Sequence, residues 1–198
     1  MGLDLNYDEG QTPLDEDEKE GLLIHTITTK RDLDEFEQLN IEQAIQWTLS
    51  RNFKQKEILT EAFVKEVHKR MYNKVWAWSG EYRKSNENLG IDKWRIATEL
   101  RTLLNDIIYW IENETYSPDE IAVRFKHRIV SIHCFANGNG RHSRLMADII
   151  IEKIFNRPIF SWGAGKPVAN GNTRIDYINA IKAADSGNFN LLLIFARS

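Results

Sequence analysis

The stretch from His133 to Arg144, which reads HCFANGNGRHSR, constrains the fold of this chain more than any other. Two glycines flank an asparagine there, so the backbone can adopt positive φ angles and a ligand can approach it closely. Apolar residues then recur at helical spacing, namely Leu145, Met146, Ile149, Ile150 and Ile154. The pattern therefore predicts a glycine loop that opens directly into a helix.

The beginning of such a helix is an anion-binding site. Its first turn carries unpaired N–H groups and the positive end of the helix dipole. Arg141 and Arg144 lie three positions apart, so they share one face of that turn and offer planar, permanently charged donors. Together these features indicate a polyphosphate ligand.

His133 immediately precedes the loop and is the candidate general base. An imidazole with an ordinary pKa of about 6.5 can accept a proton from an attacking hydroxyl near neutral pH. Taken alone, a histidine is more often structural, and a Gly-x-Gly is a weak signal. Ser143 stands where a dinucleotide fingerprint has its third glycine, and no Lys-Ser or Lys-Thr follows as in a P-loop. Neither common nucleotide motif therefore explains the stretch.

The order and spacing His-x-Phe-x-x-Gly-Asn-Gly-Arg-x-x-Arg resemble the signature of Fic-domain proteins, most of which transfer AMP from ATP to a protein hydroxyl. The segment Trp78–Arg83 is similar to the one that leads into that family's target-docking hairpin. The segment from Tyr177 to Leu191 resembles the family's closing helices. The resemblance thus extends over about residues 30 to 195.

The resemblance implies a role for each signature residue, with ATP as the substrate. His133 is then the catalytic base, and Arg141 contacts the phosphates and offsets charge during catalysis. Gly138, Asn139 and Gly140 surround the α- and β-phosphates, and Arg144 binds the γ-phosphate.

Two positions depart from the family pattern. Asn137 stands where the family usually has the Asp or Glu that holds Mg²⁺, and a neutral amide offers one oxygen and no charge. We therefore expect Mg²⁺ to bind more weakly, with Asn137 as its protein ligand. Cys134 replaces the commonest residue, proline, and admits either a Cys-His nucleophile or a small packed side chain; we favour packing.

Two function hypotheses follow from these residues. The first is a protein adenylyltransferase that modifies Ser, Thr or Tyr hydroxyls, with His133 as base and Gly138 to Arg144 binding the phosphates. The second is a nucleotide-binding or toxin-antitoxin-like interaction module with weakened catalysis, which the loss of the carboxylate at Asn137 would suit. The presence of His133 favours the first, because a binding module needs no base at that position.

Composition limits the cellular setting and the partners. The net charge of -3 provides no basic field for nucleic acid as a primary ligand. A single cysteine suits a reducing compartment. The beginning of the chain lacks the features of a secretion signal, and the apolar run Leu191–Ala196 is too short to span a bilayer. We therefore expect a cytoplasmic protein without a membrane partner.

The first part of the chain is strongly acidic, with eight acidic residues and one lysine in residues 1–20. We interpret residues 1–28 as an arm and residues 29–198 as a catalytic domain. The arm is either a solvated tail or, as in some Fic proteins, an inhibitory segment whose Glu pairs with the second signature arginine, here Arg144. Glu20, followed by glycine, is the candidate, although the Ser or Thr expected four residues earlier is Glu16.

Helical periodicity and capping residues predict the remaining scaffold. Thr29, Thr60 and Ser117 are expected to cap helices, the last with Pro118 in its first turn, and Thr173 to cap the closing helix. A first helical stripe is expected from Leu33, Phe36, Ala44, Ile45 and Leu49. His68, on the second helix, is interpreted as a surface or packing residue.

Two connecting segments have possible functions. Lys84 to Asp92 is polar and rich in turn residues, and forms either a short hairpin or a loop. Beside the active site it could hold an extended peptide of a target protein through main-chain bonds. Pro158 to Asn172 would suit an adenine-side wall. The predicted fold is thus all-α, a compact Fic-type helical domain with a small β-hairpin flap beside the loop.

Overall fold

The computed structural model describes residues 19–164 and 173–198. This part of the chain is all-α, as predicted, and contains no β-strand; Leu22 and Trp76 form an isolated antiparallel bridge. None of its helices is long and apolar enough to cross a membrane. In order, its helices are α1 (Lys30–Leu49), α2 (Gln55–Ile58), α3 (Glu61–Tyr72), α4 (Ile96–Glu112), α5 (Pro118–Ile132), α6 (Asn139–Ile149), α7 (Thr173–Asp185) and α8 (Asn190–Arg197).

Three predicted caps are confirmed. The hydroxyls of Thr29, Thr60 and Ser117 accept hydrogen bonds from backbone N–H groups in the first turns of α1, α3 and α5. Pro118 occupies the first position of α5, where its missing N–H costs nothing. These caps fix where the long helices begin, and through α5 they fix the position of His133.

The apolar stripe predicted for α1 is only partly correct. Leu33 and Ala44 are buried, but Phe36 and Leu49 are 41% and 52% exposed. The buried face instead includes three polar residues, Glu37, Asn40 and Thr48. The face that is buried is therefore rotated about the helix axis relative to the face predicted from hydrophobicity. Asn40 bonds the end of α3, since its Nδ2 donates to the carbonyl of residue 70 and its Oδ1 accepts the N–H of residue 74.

Helix α5 is the centre of the core and packs against α4 on one side and α6 on the other. Its apolar stripe is almost completely buried, as expected from its spacing. Helix α3 packs against both α1 and α6. Helix α6 continues into a wider π-helical turn, Ile150–Ile154. The loop between α5 and α6 is therefore enclosed by three helices. The buried stripe of α5 consists of Ile121, Phe125, Ile129 and Ile132.

The described part of the acidic arm, residues 19–28, lies against the domain. The carbonyl of Gly21 accepts a hydrogen bond from the Ala77 N–H at 2.8 Å, and the Leu23 N–H donates to the Val75 carbonyl at 2.9 Å. Ile27 is buried. Residues 1–18, which include Glu16, lie outside the described residues.

The hairpin predicted for Lys84–Asp92 is wrong. The segment is an irregular loop without strand pairing. Its carbonyls at Ser85 and Ile91 accept hydrogen bonds from the guanidinium of Arg83 instead of from N–H groups of a paired strand. The Asn86 side chain accepts a hydrogen bond from the Lys93 N–H at 2.9 Å, so this N–H too bonds to a side chain and not to a paired strand. We call residues 84–92 the flap.

Candidate active site

His133 stands exactly where α5 ends and the loop begins. It adopts a left-handed backbone conformation, with φ 57° and ψ 64°, while its N–H still donates to the Ile129 carbonyl at 3.2 Å. A left-handed non-glycine residue is uncommon and costs about 1–2 kcal/mol, so the surrounding structure must hold it. This turn reverses the chain abruptly and starts the loop.

The environment of His133 keeps its ring neutral. Burial, together with the nearby positive charge of Arg83, lowers the pKa of His133 to about 4, against an opposing backbone hydrogen bond. At neutral pH the ring therefore has a nitrogen lone pair available for a proton. The negative charge of a bound polyphosphate would raise this pKa and make the ring a stronger base.

The flap lies directly against His133. A Cβ added to Gly90 would come within 2.5 Å of the His133 Cβ, so only glycine allows this approach. The Ile91 N–H also donates to the Ile132 carbonyl at 3.4 Å. The candidate base and the candidate docking segment are therefore in contact.

The loop presents a row of unused donors at the beginning of α6. The backbone N–H groups of Asn139, Gly140 and Arg141 make no hydrogen bond to any residue in the described part of the chain. The His142 N–H is the first to be used, by the Gly138 carbonyl at 2.9 Å. Where a side chain of Gly140 would stand, no atom lies within 4 Å. The predicted anion site therefore has both donors and room for a ligand.

Gly138 is the position at which the loop cannot carry a side chain. Its φ of 75° lies in the left-handed region. A Cβ there would lie 2.6 Å from Cε2 of Tyr72, and closer still to the Cζ and Oη of that ring. The buried Tyr72 hydroxyl has no hydrogen-bond partner in the described residues. The backbone of the loop thus rests directly on the Tyr72 ring.

Asn139 fixes the shape of the loop. Its Oδ1 accepts the Phe135 N–H at 3.0 Å, and its Nδ2 donates to the Phe135 carbonyl at 2.7 Å. The side chain is buried and occupied by these two bonds. Its backbone N–H makes no such bond within the described residues and remains for a phosphate.

Two buried histidines support the loop, a role that the sequence analysis assigned to neither. His68, on α3, accepts the Gly80 N–H on Nδ1 and donates from Nε2 to the Asn137 carbonyl at 3.0 Å. The His142 Nε2 donates to the Val64 carbonyl at 3.0 Å. Burial lowers the pKa of both rings, to about 4 for His142, so both stay neutral. His68 is thus a packing residue, as one alternative held, and not a surface residue.

Asn137 does not offer its side chain freely to a metal. Its Oδ1 accepts the Gly138 N–H at 2.6 Å, and its main-chain carbonyl is used by His68. Across residues 19–164 and 173–198, no three His, Cys, Asp or Glu side chains are grouped so that they could hold a metal ion. This neutral, occupied amide fits Mg²⁺ poorly, since such sites normally supply carboxylates.

Arg141 is held by a carboxylate far away in the sequence. Its Nη2 lies 2.5 Å from Oε2 of Glu37, on α1, and the other oxygen of Glu37 accepts the Trp76 Nε1–H at 2.7 Å. Glu37 is only 1% exposed. The guanidinium carbon also lies 5.3 Å from the centre of the Tyr72 ring. The one signal for this pair is that Glu37 lies between buried residues of α1, where a carboxylate needs a partner.

Arg144 lies in a different environment, formed by α5 and α7. Its guanidinium carbon is 4.9 Å from the centre of the Tyr177 ring, and its buried Nε has no partner among the described residues. The Tyr177 hydroxyl accepts a hydrogen bond from the fully buried Lys126. Burial, and then the charge of Arg144, holds the pKa of Lys126 well below its ordinary value. No carboxylate in the described residues forms an ion pair with Arg144.

Arg83 is a buried organiser that the sequence did not reveal. Its Nε donates to the His133 carbonyl at 2.7 Å, and its terminal nitrogens donate to the carbonyls of Ser85, at 2.6 Å, and of Ile91. The same residue's N–H donates to the Cys134 carbonyl at 3.0 Å. One guanidinium therefore joins both ends of the flap to the residue that carries the base.

Two further candidates can be placed. Cys134 is fully buried, and burial raises the pKa of its thiol to about 12, which agrees with packing and not with a nucleophile. Glu20 is exposed, and no ion pair within the described residues links it to Arg144. The proposed adenine-side wall falls largely on residues 165–172, outside the described residues.

Comparison with known proteins identifies one family. Residues 58–151 match the Fic/DOC family. A Fido domain-containing protein of Dictyostelium discoideum is 35% identical over 69 residues, which are 35% of this chain and 43% of that protein. The protein adenylyltransferase Fic of Nematostella vectensis is 23% identical over 173 residues, 85% of this chain and 39% of that protein. The chain thus spans about two fifths of the length of these relatives.

Solved structures share the fold. The N-terminal Fic domain of Bep8, a VirB-translocated effector of Bartonella sp. 1-1C, superposes with a TM-score of 0.68 at 13% identity and 88% coverage of both chains. BepC of Bartonella tribocorum, solved with bound AMPPNP, gives a TM-score of 0.65 at 15% identity, over 87% of this chain and 88% of that chain. At these identities the agreement establishes the fold.

Proposed function

The chain belongs to the Fic/DOC family, and from that premise we propose that it is a protein adenylyltransferase, which transfers AMP from ATP to a Ser, Thr or Tyr hydroxyl of a target protein. The observation that carries the proposal is one neutral, buried imidazole placed immediately before the loop that presents three unused N–H donors. The distant relatives named as protein adenylyltransferases support the same reaction class.

The reaction requires a base, a phosphate site and a place for the target. The target hydroxyl oxygen attacks the α-phosphorus while its proton moves to the neutral ring of His133. The bond from the α-phosphorus to the bridging oxygen breaks, and pyrophosphate leaves with that oxygen. General-base assistance of this kind typically contributes about 10²–10⁴ in rate.

The phosphate site is the beginning of α6. The N–H groups of residues 139–141 are donors that a phosphate can bind, and Arg141 adds a guanidinium on the same turn. Arg144 extends the positive surface toward Tyr177 and is the proposed γ-phosphate contact. Preorganised donors act most strongly on charge that develops in the transition state. A divalent cation would draw most of its ligands from the phosphates and water, with Asn137 contributing at most one oxygen.

The flap is the proposed target-docking segment. It is mostly exposed, it borders His133, and its main chain is not used in a sheet. An extended peptide bound there would place its hydroxyl beside the base, and main-chain recognition would tolerate varied sequences.

The acidic arm is the proposed regulator. Glu20 lies on the surface beside the segment that pairs with residues 75–77, so the arm is tethered to the domain. Tethering gives it an effective concentration on the order of millimolar near the site. A movement that brought Glu20 to Arg144 would form a charge-assisted pair and compete with the γ-phosphate.

The second candidate is a nucleotide-binding or toxin-antitoxin-like interaction module with weakened catalysis. The observation in its favour is Asn137, whose neutral side chain is already occupied by the Gly138 N–H. Both candidates predict nucleotide binding, and only the first predicts transfer.

Intact-mass measurement after incubation with Mg²⁺ and ATP tests the proposal on the protein itself and on candidate targets. The wild type should gain the mass of an AMP group, and His133→Ala should lose at least about 10² in rate while its ATP affinity stays within a few-fold. Binding of ATP by the wild type without any mass gain would favour the interaction module. An undiminished rate in His133→Ala would overturn the role of the base.

A further inference from the structure

The partner of Arg141 is a carboxylate in the interior of the protein. Glu37 is 1% exposed and accepts two hydrogen bonds, one on each oxygen, from Trp76 Nε1 at 2.7 Å and from Arg141 Nη2 at 2.5 Å. The two partners differ, because Trp76 supplies a neutral donor and Arg141 supplies the compensating positive charge. A buried carboxylate is tolerated only with such compensation, so Glu37 is committed to Arg141.

The carboxylate is also fixed in space. Leu33 and Ile41, one turn before and after Glu37, are buried on the same face of α1. Helix α1 packs along α3, and Asn40 of α1 bonds the chain just after α3. Glu37 therefore belongs to the rigid core, unlike a residue on a tethered arm.

Arg141 forms one hydrogen bond and one ring contact among the described residues. Its guanidinium has five N–H donors, and within the described residues its recorded hydrogen bond is the one from Nη2 to Glu37. The Tyr72 ring covers a second side, with its centre 5.3 Å from the guanidinium carbon. The side chain is still 38% exposed. We call the donors that Glu37 does not use the open edge of the guanidinium; they belong to the helix turn that carries the unused N–H groups.

We infer that Glu37 is a positioning residue for Arg141, one that holds the guanidinium in the orientation in which its open edge meets the phosphate of the nucleotide. The inference rests on the proposed function, since it assigns a task within the AMP-transfer reaction. A guanidinium that is already ordered loses less conformational freedom when it binds, and it stabilises developing charge without reorganising. Loss of Glu37 should consequently act on turnover more than on the affinity for ATP.

The opposite role, a latch that withholds Arg141 from the nucleotide, requires Glu37 to release its partner. Release would leave a carboxylate buried in the core with only the indole N–H of Trp76 for compensation, which is unfavourable. The geometry therefore favours a permanent holder.

The kinetic test is ATP-dependent self-modification by Glu37→Gln and Glu37→Asp. Glutamine keeps the shape and can still accept the Trp76 N–H, but it removes the charge. We expect kcat to fall about tenfold, with KM for ATP changed by less than about threefold, and Glu37→Asp to fall between wild type and Glu37→Gln. Glu66→Gln is the matched control, because it removes a Glu–Arg pair of 2.7 Å, with Arg70, away from the site; its kinetics should stay unchanged.

A second readout needs no transfer. In NMR relaxation measurements the Nε–Hε group of Arg141 should be rigid in the wild type and mobile in Glu37→Gln, and unaffected in Glu66→Gln. A rate that rises in Glu37→Gln would identify a latch and overturn the inference. So would an Arg141 that stays rigid while activity and thermal stability fall together, because Glu37 would then be only structural. If the wild type transfers no AMP, the proposed function fails, and the mobility of Arg141 still decides whether Glu37 positions it.

Discussion

The floor and the flap of this site are built in opposite ways. The floor, residues 134–144, is tied to α3 and to itself by buried side chains, each of which uses a main-chain group: Asn139 at Phe135, His68 at Asn137 and His142 at Val64. The flap, residues 84–92, is mostly exposed, and its main chain is anchored to the site by the guanidinium of Arg83 and by the Ile91 N–H, which donates to the Ile132 carbonyl.

This difference matches the two substrates. A triphosphate has one geometry, so the donors that meet it gain from rigidity. A protein target varies, and a loop with an exposed main chain can adapt to it. Arg83 is where the two regions meet, because it bonds the His133 carbonyl as well as the flap. Breaking the floor should therefore damage folding and binding together, while breaking the flap should damage transfer.

The largest effect is expected from Gly138→Ala. The left-handed backbone costs a non-glycine residue about 1–2 kcal/mol, and the overlap with the rigid Tyr72 ring adds about 1–3 kcal/mol. We expect the free energy of unfolding to fall by about 3 kcal/mol in urea titrations, with loss of ATP binding.

Gly140→Ala is the matched control for that change, since no atom lies within 4 Å of its added methyl and its position is helical. Alanine is the better helix former by about 1 kcal/mol, so stability should stay level or rise. ATP affinity should nevertheless fall, because the methyl occupies the space over the donors. A stable, fully binding Gly138→Ala protein would show that the floor is not rigid.

The next largest effect is expected from Arg83→Met, which removes the guanidinium that donates to the flap carbonyls of Ser85 and Ile91 and so loosens the flap. Transfer should fall about tenfold, while ATP affinity, measured by calorimetry, stays within a few-fold, because the floor is untouched. Loss of the positive charge also raises the pKa of His133, so the acid limb of kcat/KM should move to higher pH.

Arg95→Met is the control for Arg83→Met, because it removes an exposed arginine that pairs with Glu99 outside the site. It should leave both the rate and the pH profile as in the wild type. Equal losses of ATP affinity and transfer in Arg83→Met would mean that floor and flap are one unit.

A several-fold effect is expected from the arm. Glu20→Gly, or removal of residues 1–21, should increase self-modification several-fold if a tethered carboxylate competes for Arg144. Glu16→Gly is the control for the incomplete motif. Equal rates for full-length, truncated and Glu20→Gly proteins, with matched circular dichroism, would show that the arm does not inhibit and is only a solvated tail.

The sequence predicted what depends on neighbours in the chain. The caps at Thr29, Thr60 and Ser117 and the glycine loop that opens α6 are local, and all are confirmed. The predicted hairpin was wrong, since turn-rich composition does not reveal that a guanidinium would take the carbonyls of the flap.

Partners that are distant in the sequence could not be predicted in this way. Glu37 meets Arg141 across 104 positions, and Arg83 meets His133 across 50. A single sequence contains no periodic signal for such pairs. The one available indication was that Glu37 and Asn40 interrupt the apolar residues on one face of α1, which marks them as buried polar residues in need of partners.

The smallest effect is expected from Asn137→Asp, at the edge of the floor. The Asp side chain can still accept the Gly138 N–H with one oxygen, and it adds a charge and a second oxygen for Mg²⁺. The floor should therefore keep its stability, while turnover at low Mg²⁺ rises a few-fold and the Mg²⁺ concentration for half-maximal rate falls. Asn52→Asp, at an exposed position after α1 and outside both the floor and the flap, is the control for an added charge. An unchanged Mg²⁺ dependence would place the metal away from Asn137, and a loss of stability would mean that the floor depends on the amide itself.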